Sequence, residues 1–216
     1  MKKVMSVIFL LLSNFLMEDM LSQHRFTLEF LPGVSGALPM PLNVYQEGAK
    51  VASFTARYET RSLEMPFYYS YRIGYQTDSH GWELEMNHLK IYLTNTNDVV
   101  SHFSVSHGYN QLWLNHIWIN RIGVFRVGLG PVISHDETTV NGKRLEEKGG
   151  FFNAGYNIHG GSLQGSFQKR YYVWDHLFIL AEAKLSFGYA HIGVVDGYAT
   201  TPIIAGHLLF GAGVSF

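Results

Sequence analysis

The sequence contains no cysteine among its 216 residues. This excludes a disulfide framework, a thiol nucleophile and a cysteine-based zinc site. Charged residues make up only 15% of the chain, and the formal net charge is -1. Because proteins that bind nucleic acid need a strongly basic surface, we expect no nucleic-acid partner.

Long apolar runs are also scarce, and the clearest one lies at the N-terminus. Residues 4–12 are apolar apart from Ser6, and they follow the basic pair Lys2 and Lys3. This layout predicts a secretory signal peptide over residues 1–22, without a well-defined cleavage site. An uncleaved membrane anchor is the alternative, although a spanning helix needs about 20 apolar residues.

The rest of the chain shows apolar and polar residues in strict alternation, which is the pattern of β-strands. Segments such as "PFYYSYRIGYQ" and "LFILAEAKLSFGY" recur about eight times over residues 48–216. Most are about ten residues long, the length that a tilted transmembrane strand needs. Residues 23–47 contain Pro32, Pro39 and Pro41, and we interpret them as an irregular lead-in with room for a short strand at "RFTLEF".

The alternation changes phase within "WELEMNHLKIYL". Trp82 and Leu84 belong to one alternating series, and Leu89 belongs to the other. Because a one-residue slip moves side chains to the opposite face, a β-bulge at Asn87-His88 is expected.

The apolar faces of the predicted strands carry many large aromatic residues. The interior of an eight-stranded barrel has space for few of them, so we expect these faces to contact lipid and the polar faces to line the lumen. The predicted fold is therefore all-β, a closed antiparallel transmembrane β-barrel of about eight strands over residues 48–216. The aromatic residues expected to face lipid are Tyr58, Tyr69, Tyr71, Tyr75, Phe103, Phe125, Phe187, Tyr189 and Phe210.

The lengths of the predicted connections indicate an orientation. The links near 77–80, 114–119 and 172–176 are short, whereas those near 135–158 and 192–201 are longer. Short periplasmic turns and longer outer loops are typical of outer-membrane barrels. A girdle of aromatic residues is expected at the membrane interface. The tryptophans near the short links are Trp113, Trp118 and Trp174.

Charged residues of both signs lie on the predicted luminal faces. Since a narrow lumen excludes water, we expect them to form ion pairs that hold the barrel closed. The predicted network consists of Arg57, Arg72, Lys90, Arg126, Arg170 and Lys184 with Glu59, Glu83, Glu85 and Glu182.

The sequence ends "AGHLLFGAGVSF", with an aromatic last residue and apolar residues at every second position before it. This ending resembles the C-terminal signal of bacterial outer-membrane β-barrel proteins, and the chain looks like a small barrel of the OmpA or lipid A deacylase size class. The resemblance implies the outer membrane of a Gram-negative bacterium, with outer-membrane lipid as its surroundings. It also implies recognition by the barrel-assembly machinery through Leu208, Phe210, Val214 and Phe216.

The stretch "HFS" is similar to the His-x-Ser motif of outer-membrane lipid A 3-O-deacylases. The resemblance implies that His102 and Ser104 act as catalytic residues with a glutamate on the adjacent strand. That glutamate is absent from "LNHIWINR", and Val105 stands where that family has asparagine. From the predicted hairpin we expect both side chains to face the lumen, with Lys90 opposite Ser104 and Tyr92 opposite His102.

The remaining polar motifs predict no cofactor and no metal site. The eleven histidines share no ligand spacing, and "SHDE" at 134–137 is interpreted as a solvated loop. The charged stretch 141–148 is a candidate for contact with a partner. We therefore predict a monomeric barrel with a filled lumen and a structural or surface-interaction role. The alternatives are a lipid esterase, a periplasmic lipocalin-like carrier of an apolar ligand, and a narrow channel.

Overall fold

The computed structural model of the protein describes residues 24–146, 150 and 155–216. The predicted signal peptide lies outside these described residues. Among them, no helix has the length and apolar character needed to cross a membrane.

The described residues form thirteen β-strands that belong to one sheet. In chain order they are β1 (Arg25–Ala37), β2 (Met40–Gln46), β3 (Ala49–Ala56), β4 (Tyr58–Glu59), β5 (Tyr69–Gln76), β6 (His80–Leu93), β7 (Val100–Ile119), β8 (Val124–His135), β9 (Glu137–Val140), β10 (Lys143–Arg144), β11 (Tyr156–Tyr172), β12 (Leu177–Val194) and β13 (Gly197–Ser215).

Eight of these strands close into a ring. The antiparallel pairs run β1–β5–β6–β7–β8–β11–β12–β13, and β13 pairs with β1 to complete the circle. The prediction of a closed antiparallel barrel of about eight strands is confirmed. Closure satisfies the edge hydrogen bonds of each strand, which a sheet in lipid requires.

The barrel begins earlier in the chain than predicted. Residues 25–37 are not an irregular lead-in, because β1 pairs with both β5 and β13. Its alternation gives the reason: Phe26 and Leu28 are exposed, whereas Thr27 is buried. Pro32 is accommodated because it lies at the end of the β1–β5 ladder, where it removes no interior hydrogen bond.

The turns at one end of the barrel are short, as predicted, but two of the predicted links are wrong. The second short turn spans 120–123, and 114–119 belongs to β7. At the opposite end, 192–201 is not a long loop, because β12 and β13 are joined by Val195 and Asp196 alone. Asp196 adopts a positive φ of 59°, as tight hairpin turns require.

The inward-facing residues change from polar to apolar along the strands, while the alternation of facing continues without a slip. In β6, Glu85 and Asn87 point inward, and so do Leu89 and Ile91 two and four residues further on. The bulge predicted at Asn87-His88 is therefore wrong. The irregularity lies in β7, where the partner of Leu89 is Tyr109 but the partner of Ile91 is Val105.

This change in the polarity of the inward-facing side chains divides the interior into two compartments. In the half nearest the short turns, the inside is mainly polar and the outside apolar. In the other half an apolar core fills the inside, which is the arrangement of a β-structure surrounded by water. The predicted lipid contacts of Tyr58 and Phe103 are therefore wrong, because both are buried in this core. Its members include Leu42, Val44, Tyr58, Leu89, Ile91, Phe103, Val105, Tyr109, Val132, Val140, Ile192 and Ile203.

An irregular segment, 60–68, replaces a strand in the wall between the outer part of β1 and β6. Thr60 Oγ1 donates to the Ser35 carbonyl (2.6 Å), and the Tyr68 carbonyl accepts from the Gly33 N–H (3.3 Å). The Tyr68 side chain enters the lumen, where its hydroxyl lies 2.7 Å from Asn87 Oδ1 and 2.8 Å from His207 Nδ1. Tyr68 thus anchors the segment.

Two tyrosines provide a matched test of the interior. Tyr68→Phe should lower the free energy of unfolding by about 1–3 kcal/mol, because it leaves buried partners of its hydroxyl unpaired. Tyr58→Phe should be neutral or stabilising, because the buried Tyr58 hydroxyl has no hydrogen-bond partner among the described residues. Urea unfolding in lipid vesicles measures both. Equal losses for the two variants would contradict this account of the interior.

Adjacent glycines in β11 should respond differently to alanine. A Cβ on Gly160 would overlap the carbonyl oxygen of Tyr189, whereas one on Gly161 would lie 4.0 Å from the carbonyl oxygen of Gly130. Gly160→Ala should therefore cost about 1–3 kcal/mol through overpacking, and Gly161→Ala should change stability little. Thermal unfolding in detergent measures the difference, and a Gly160→Ala variant as stable as the wild type would contradict the backbone approach.

Candidate functional site

A cluster of charged side chains occupies the lumen in its polar half. Arg72 is at its centre, with side-chain exposure of 1%. Its guanidinium lies 3.0 Å from Glu29, 2.9 Å from Glu85 and 2.6 Å from Glu182. Four strands position these groups: β1, β5, β6 and β12.

Three further cations complete the cluster. Arg126 contacts Glu83 and Glu182, the latter at 2.9 Å. Arg170 lies 2.7 Å from Glu29 and 3.4 Å from Glu83. Lys184 contacts Glu85, and its ammonium lies 5.1 Å from the centre of the Trp113 ring. The cluster therefore holds four cations and four carboxylates: Arg72, Arg126, Arg170 and Lys184 with Glu29, Glu83, Glu85 and Glu182.

Neutral side chains complete the hydrogen bonding of the cluster. Gln168 Nε2 donates to Glu29 (2.8 Å), and Asn115 Nδ2 donates to Glu85 (2.8 Å). Buried charges are tolerated only when they are paired and hydrogen-bonded, and this arrangement meets both conditions. The cluster can fill and rigidify the lumen.

The structure brings together seven of the ten residues predicted to form the luminal network and places three elsewhere. Arg57 is exposed, and Glu59 pairs with Arg61 on the surface. Lys90 lies on the outward side of β6, where its ammonium donates to the Glu64 carbonyl (2.8 Å). All three lie at or beyond the level where the interior changes from polar to apolar, so the polar side chains there point outward.

Glu29 is the member of the cluster that sequence reasoning missed. It lies in the stretch interpreted as a lead-in, yet "RFTLEF" alternates as a strand should. That alternation was the available signal, because it places Thr27 and Glu29 on the face opposite Phe26 and Phe30. Without Glu29 the cluster would carry one excess positive charge.

The outside of the polar half is a continuous apolar band. On β12 it extends from Ile179 to Tyr189, which are 53% and 44% exposed. These eleven residues correspond to a height of about 25 Å for a tilted strand, the height of a lipid-facing band. Trp118 and Trp174 are exposed at the short-turn end, as interfacial aromatic residues are in a membrane barrel.

The chain is a small transmembrane β-barrel. Neither the comparison with protein families nor that with curated proteins gives a match. Among solved structures, the barrel is similar to the outer membrane protein OprG from Pseudomonas aeruginosa, with 13% identity, a TM-score of 0.47, and coverage of 90% of this chain and 97% of that one. It is also similar to the outer membrane protein AlkL, with 12% identity, a TM-score of 0.47, and 90% coverage of both chains.

A third similar structure is Ail, the attachment invasion locus protein of Yersinia pestis, with 12% identity and a TM-score of 0.39. The match covers 89% of this chain and 97% of Ail. At these identities the similarity concerns architecture alone, so the site has to be argued from the barrel's own residues.

One of the tryptophans predicted for the interfacial aromatic girdle points into the lumen instead. Trp113 is fully buried in the lumen of the barrel, and its indole N–H donates to Ser162 Oγ (2.9 Å). The prediction was wrong because the turn after β7 begins at Asn120, seven residues later. Trp113 is therefore well inside the strand and on its inward face.

The residues proposed to carry the assembly signal lie on the outer surface of the barrel. Leu208 and Phe210 are 54% and 63% exposed, and Val214 is 36% exposed. Phe216 is 65% exposed, and its backbone pairs with Phe26 beside β1. Recognition of these exposed side chains by the assembly machinery stays a prediction.

His102 and Ser104 contact each other, but not in the predicted place. His102 Nε2 lies 3.2 Å from Ser104 Oγ. Both side chains point away from the apolar core, so the predicted luminal facing is wrong. The register also differs, because Tyr92 and not Lys90 is the partner of Ser104.

A carboxylate lies near this pair on a strand that sequence reasoning missed. Glu137 on β9 is the backbone partner of Ser104. Its carboxylate, however, contacts Ser106 and lies 3.1 Å from His107 Nδ1. A relay through His102 would need a carboxylate on its other ring nitrogen, and Glu137 is engaged elsewhere.

A second serine–histidine–carboxylate group lies at the bend between β8 and β9. Ser134 Oγ donates to Asp136 (2.7 Å), and His159 Nδ1 lies 2.8 Å from Ser134 and 2.9 Å from Asp136. The serine and the carboxylate share one ring nitrogen, so no proton relay is formed. Asp136 also accepts from the Gly193 N–H (2.6 Å), and the group therefore ties three strands together. In the described part of the chain, no group of three or more potential ligands could hold a metal ion.

Proposed function

We propose that this barrel is a closed, non-conducting protein of the outer membrane of a Gram-negative bacterium, and that it has a structural and surface-interaction role. The observation that carries the proposal is the filled lumen. The balanced charged cluster fills the polar half, and the apolar core fills the other half. The carrier and channel alternatives both need luminal space that these side chains occupy.

Conductance in planar bilayers tests the closed lumen. Purified barrel with the heat-modifiable gel mobility of a folded membrane barrel should insert and give no conductance steps. Regular steps from the folded protein would contradict the proposal.

The extracellular surface supports the interaction role. Beyond the apolar band, a row of aromatic rings continues up the outer wall, with the Tyr45 and Tyr198 rings 5.1 Å apart and His191 4.9 Å from Tyr198. Lys50 lies 5.5 Å from the Tyr45 ring. Exposed aromatic and cationic groups on rigid strands are common in recognition surfaces.

Single-cysteine labelling tests the orientation, since the chain has no cysteine of its own. Ser53→Cys on β3 should react with a membrane-impermeant maleimide in intact cells. Asp175→Cys in a short turn should react only after the outer membrane is permeabilised. The reverse pattern would overturn the orientation, and labelling of both would overturn the membrane location.

A second candidate function is hydrolysis of an ester in an envelope lipid. The specific observation in its favour is the 3.2 Å contact between the exposed His102 and the buried Ser104 on the outward side of β7. Mass spectrometry of lipid A from cells with the wild type, with Ser104→Ala and without the protein tests it. An acyl pattern that differs in the wild type alone would support the esterase, and three identical patterns would remove it.

A further inference from the structure

Two cavities flank the irregular segment 60–68 on the outside of the barrel. Each has a volume of about 540 Å³, and Pro66 and Tyr69 line both. They therefore form two adjoining parts of one surface feature.

The first cavity is an apolar groove at the depth of the lipid-facing band. Leu63, Met65 and Phe67 from the segment form one side, and they are 74%, 76% and 51% exposed. Phe30 and Phe210, which belong to the band itself, form the other side. The groove is thus continuous with the surface that contacts acyl chains.

The second cavity lies closer to the extracellular end and contains a buried imidazole. His88 is only 5% exposed, and its ring stacks on Tyr69 with centroids 5.1 Å apart. His88 Nδ1 lies 2.8 Å from Asn110 Oδ1, so Nδ1 carries the proton in the neutral ring. His88 Nε2 is buried and has no hydrogen-bond partner among the described residues.

The chemistry of His88 Nε2 defines what the cavity would accept. A bare imidazole nitrogen is an acceptor, so its partner must donate a hydrogen bond. A hydroxyl group does so, whereas an ionised phosphodiester has no hydrogen to donate. The rings of Tyr69 and Tyr156, both in the lining, offer flat apolar surfaces beside this acceptor.

We propose that the two cavities together bind a glycolipid of the outer leaflet. Its sugar headgroup would lie in the second cavity, with a hydroxyl donating to His88 Nε2, and an acyl chain would lie in the apolar groove. The order of the cavities matches a lipid, because the cavity that contains His88 and Asn110 is nearer the extracellular end. The inference rests on the membrane location proposed above.

Native mass spectrometry of the folded barrel in a glycol-ether detergent tests this inference. The probes are a glucosyl diacylglycerol and a phosphatidylmethanol with the same acyl chains, whose ionised phosphodiester has no hydroxyl group. The wild type should retain the glycolipid at least tenfold more strongly than the phosphatidylmethanol. His88→Phe, which keeps an aromatic ring but removes the acceptor, should abolish most of that preference.

The matched control is His116→Phe, the same substitution in a histidine that makes edge-on ring contacts with Trp82 and Trp118 near the opposite end of the barrel. It should leave the preference unchanged. If His88→Phe folds poorly, His88→Gln replaces it in the test. Glutamine keeps a hydrogen-bond acceptor, so this variant should retain part of the preference for the glycolipid. Equal retention of both lipids by the wild type, or an unchanged preference in His88→Phe, would overturn the glycolipid site. Neither result would affect the labelling and conductance tests of the proposed function.

Discussion

Arg126→Met should lower the free energy of unfolding by about 3–5 kcal/mol. Arg126 is fully buried and contacts Glu83 and Glu182, so its removal leaves two carboxylates in a dry lumen with fewer cationic partners. Methionine keeps much of the volume, so the loss reports the charge more than the packing. Urea unfolding in lipid vesicles, followed by tryptophan fluorescence, measures it.

The matched control is Arg61→Met, since Arg61 pairs with Glu59 and Glu64 on the surface. Exposed ion pairs contribute little, and this variant should lose less than about 1 kcal/mol. Adding Glu83→Gln to Arg126→Met restores the charge balance and should recover part of the loss. A single Arg126→Met variant as stable as Arg61→Met would show that the cluster does not stabilise the barrel.

The alternation of the sequence was sufficient to predict the barrel and much of its charged cluster. In the half nearest the short turns, the strands carry polar residues toward the lumen and apolar residues toward lipid, and the period of two is easily recognised in the sequence. The pairings of Arg72 could not be predicted, because they join residues from four strands whose register depends on turns. Only the closed ring brings Glu29 beside Arg170.

The main errors share one physical cause. The same period-two pattern has opposite meanings in lipid and in water, and the strands of this barrel continue beyond the membrane. Tyr58 and Phe103 were therefore assigned to lipid although they lie in a water-surrounded core. For the same reason Arg57 and Lys90 were assigned to the lumen although they lie outside it.

That error also affects the candidate catalytic pair. His102 and Ser104 were expected inside because they alternate with Phe103, an apolar residue assigned to lipid. Above the membrane the assignment reverses, and the pair faces outward. The carboxylate nearest to it, Glu137, belongs to a short strand formed after the bend at Asp136, which no pattern in the sequence indicates.

Trp113→Ala should be the second most damaging substitution. The indole is fully buried, packs near the Lys184 ammonium and donates to Ser162, so its truncation creates a large luminal cavity. We expect a loss of about 3–5 kcal/mol. Trp118 lies on the same strand but is 47% exposed toward lipid, so Trp118→Ala should lose less than half as much.

Trp113→Ala also tests whether the two luminal compartments close the barrel independently. The cavity left by Trp113→Ala lies in the charged half, whereas Phe103 and Tyr109 belong to the apolar core that fills the half farther from the short turns. We therefore expect the folded Trp113→Ala barrel to be less stable in urea and still closed in planar bilayers. Conductance steps in this variant would mean that the apolar core does not seal the barrel, and that the charged cluster alone holds it shut.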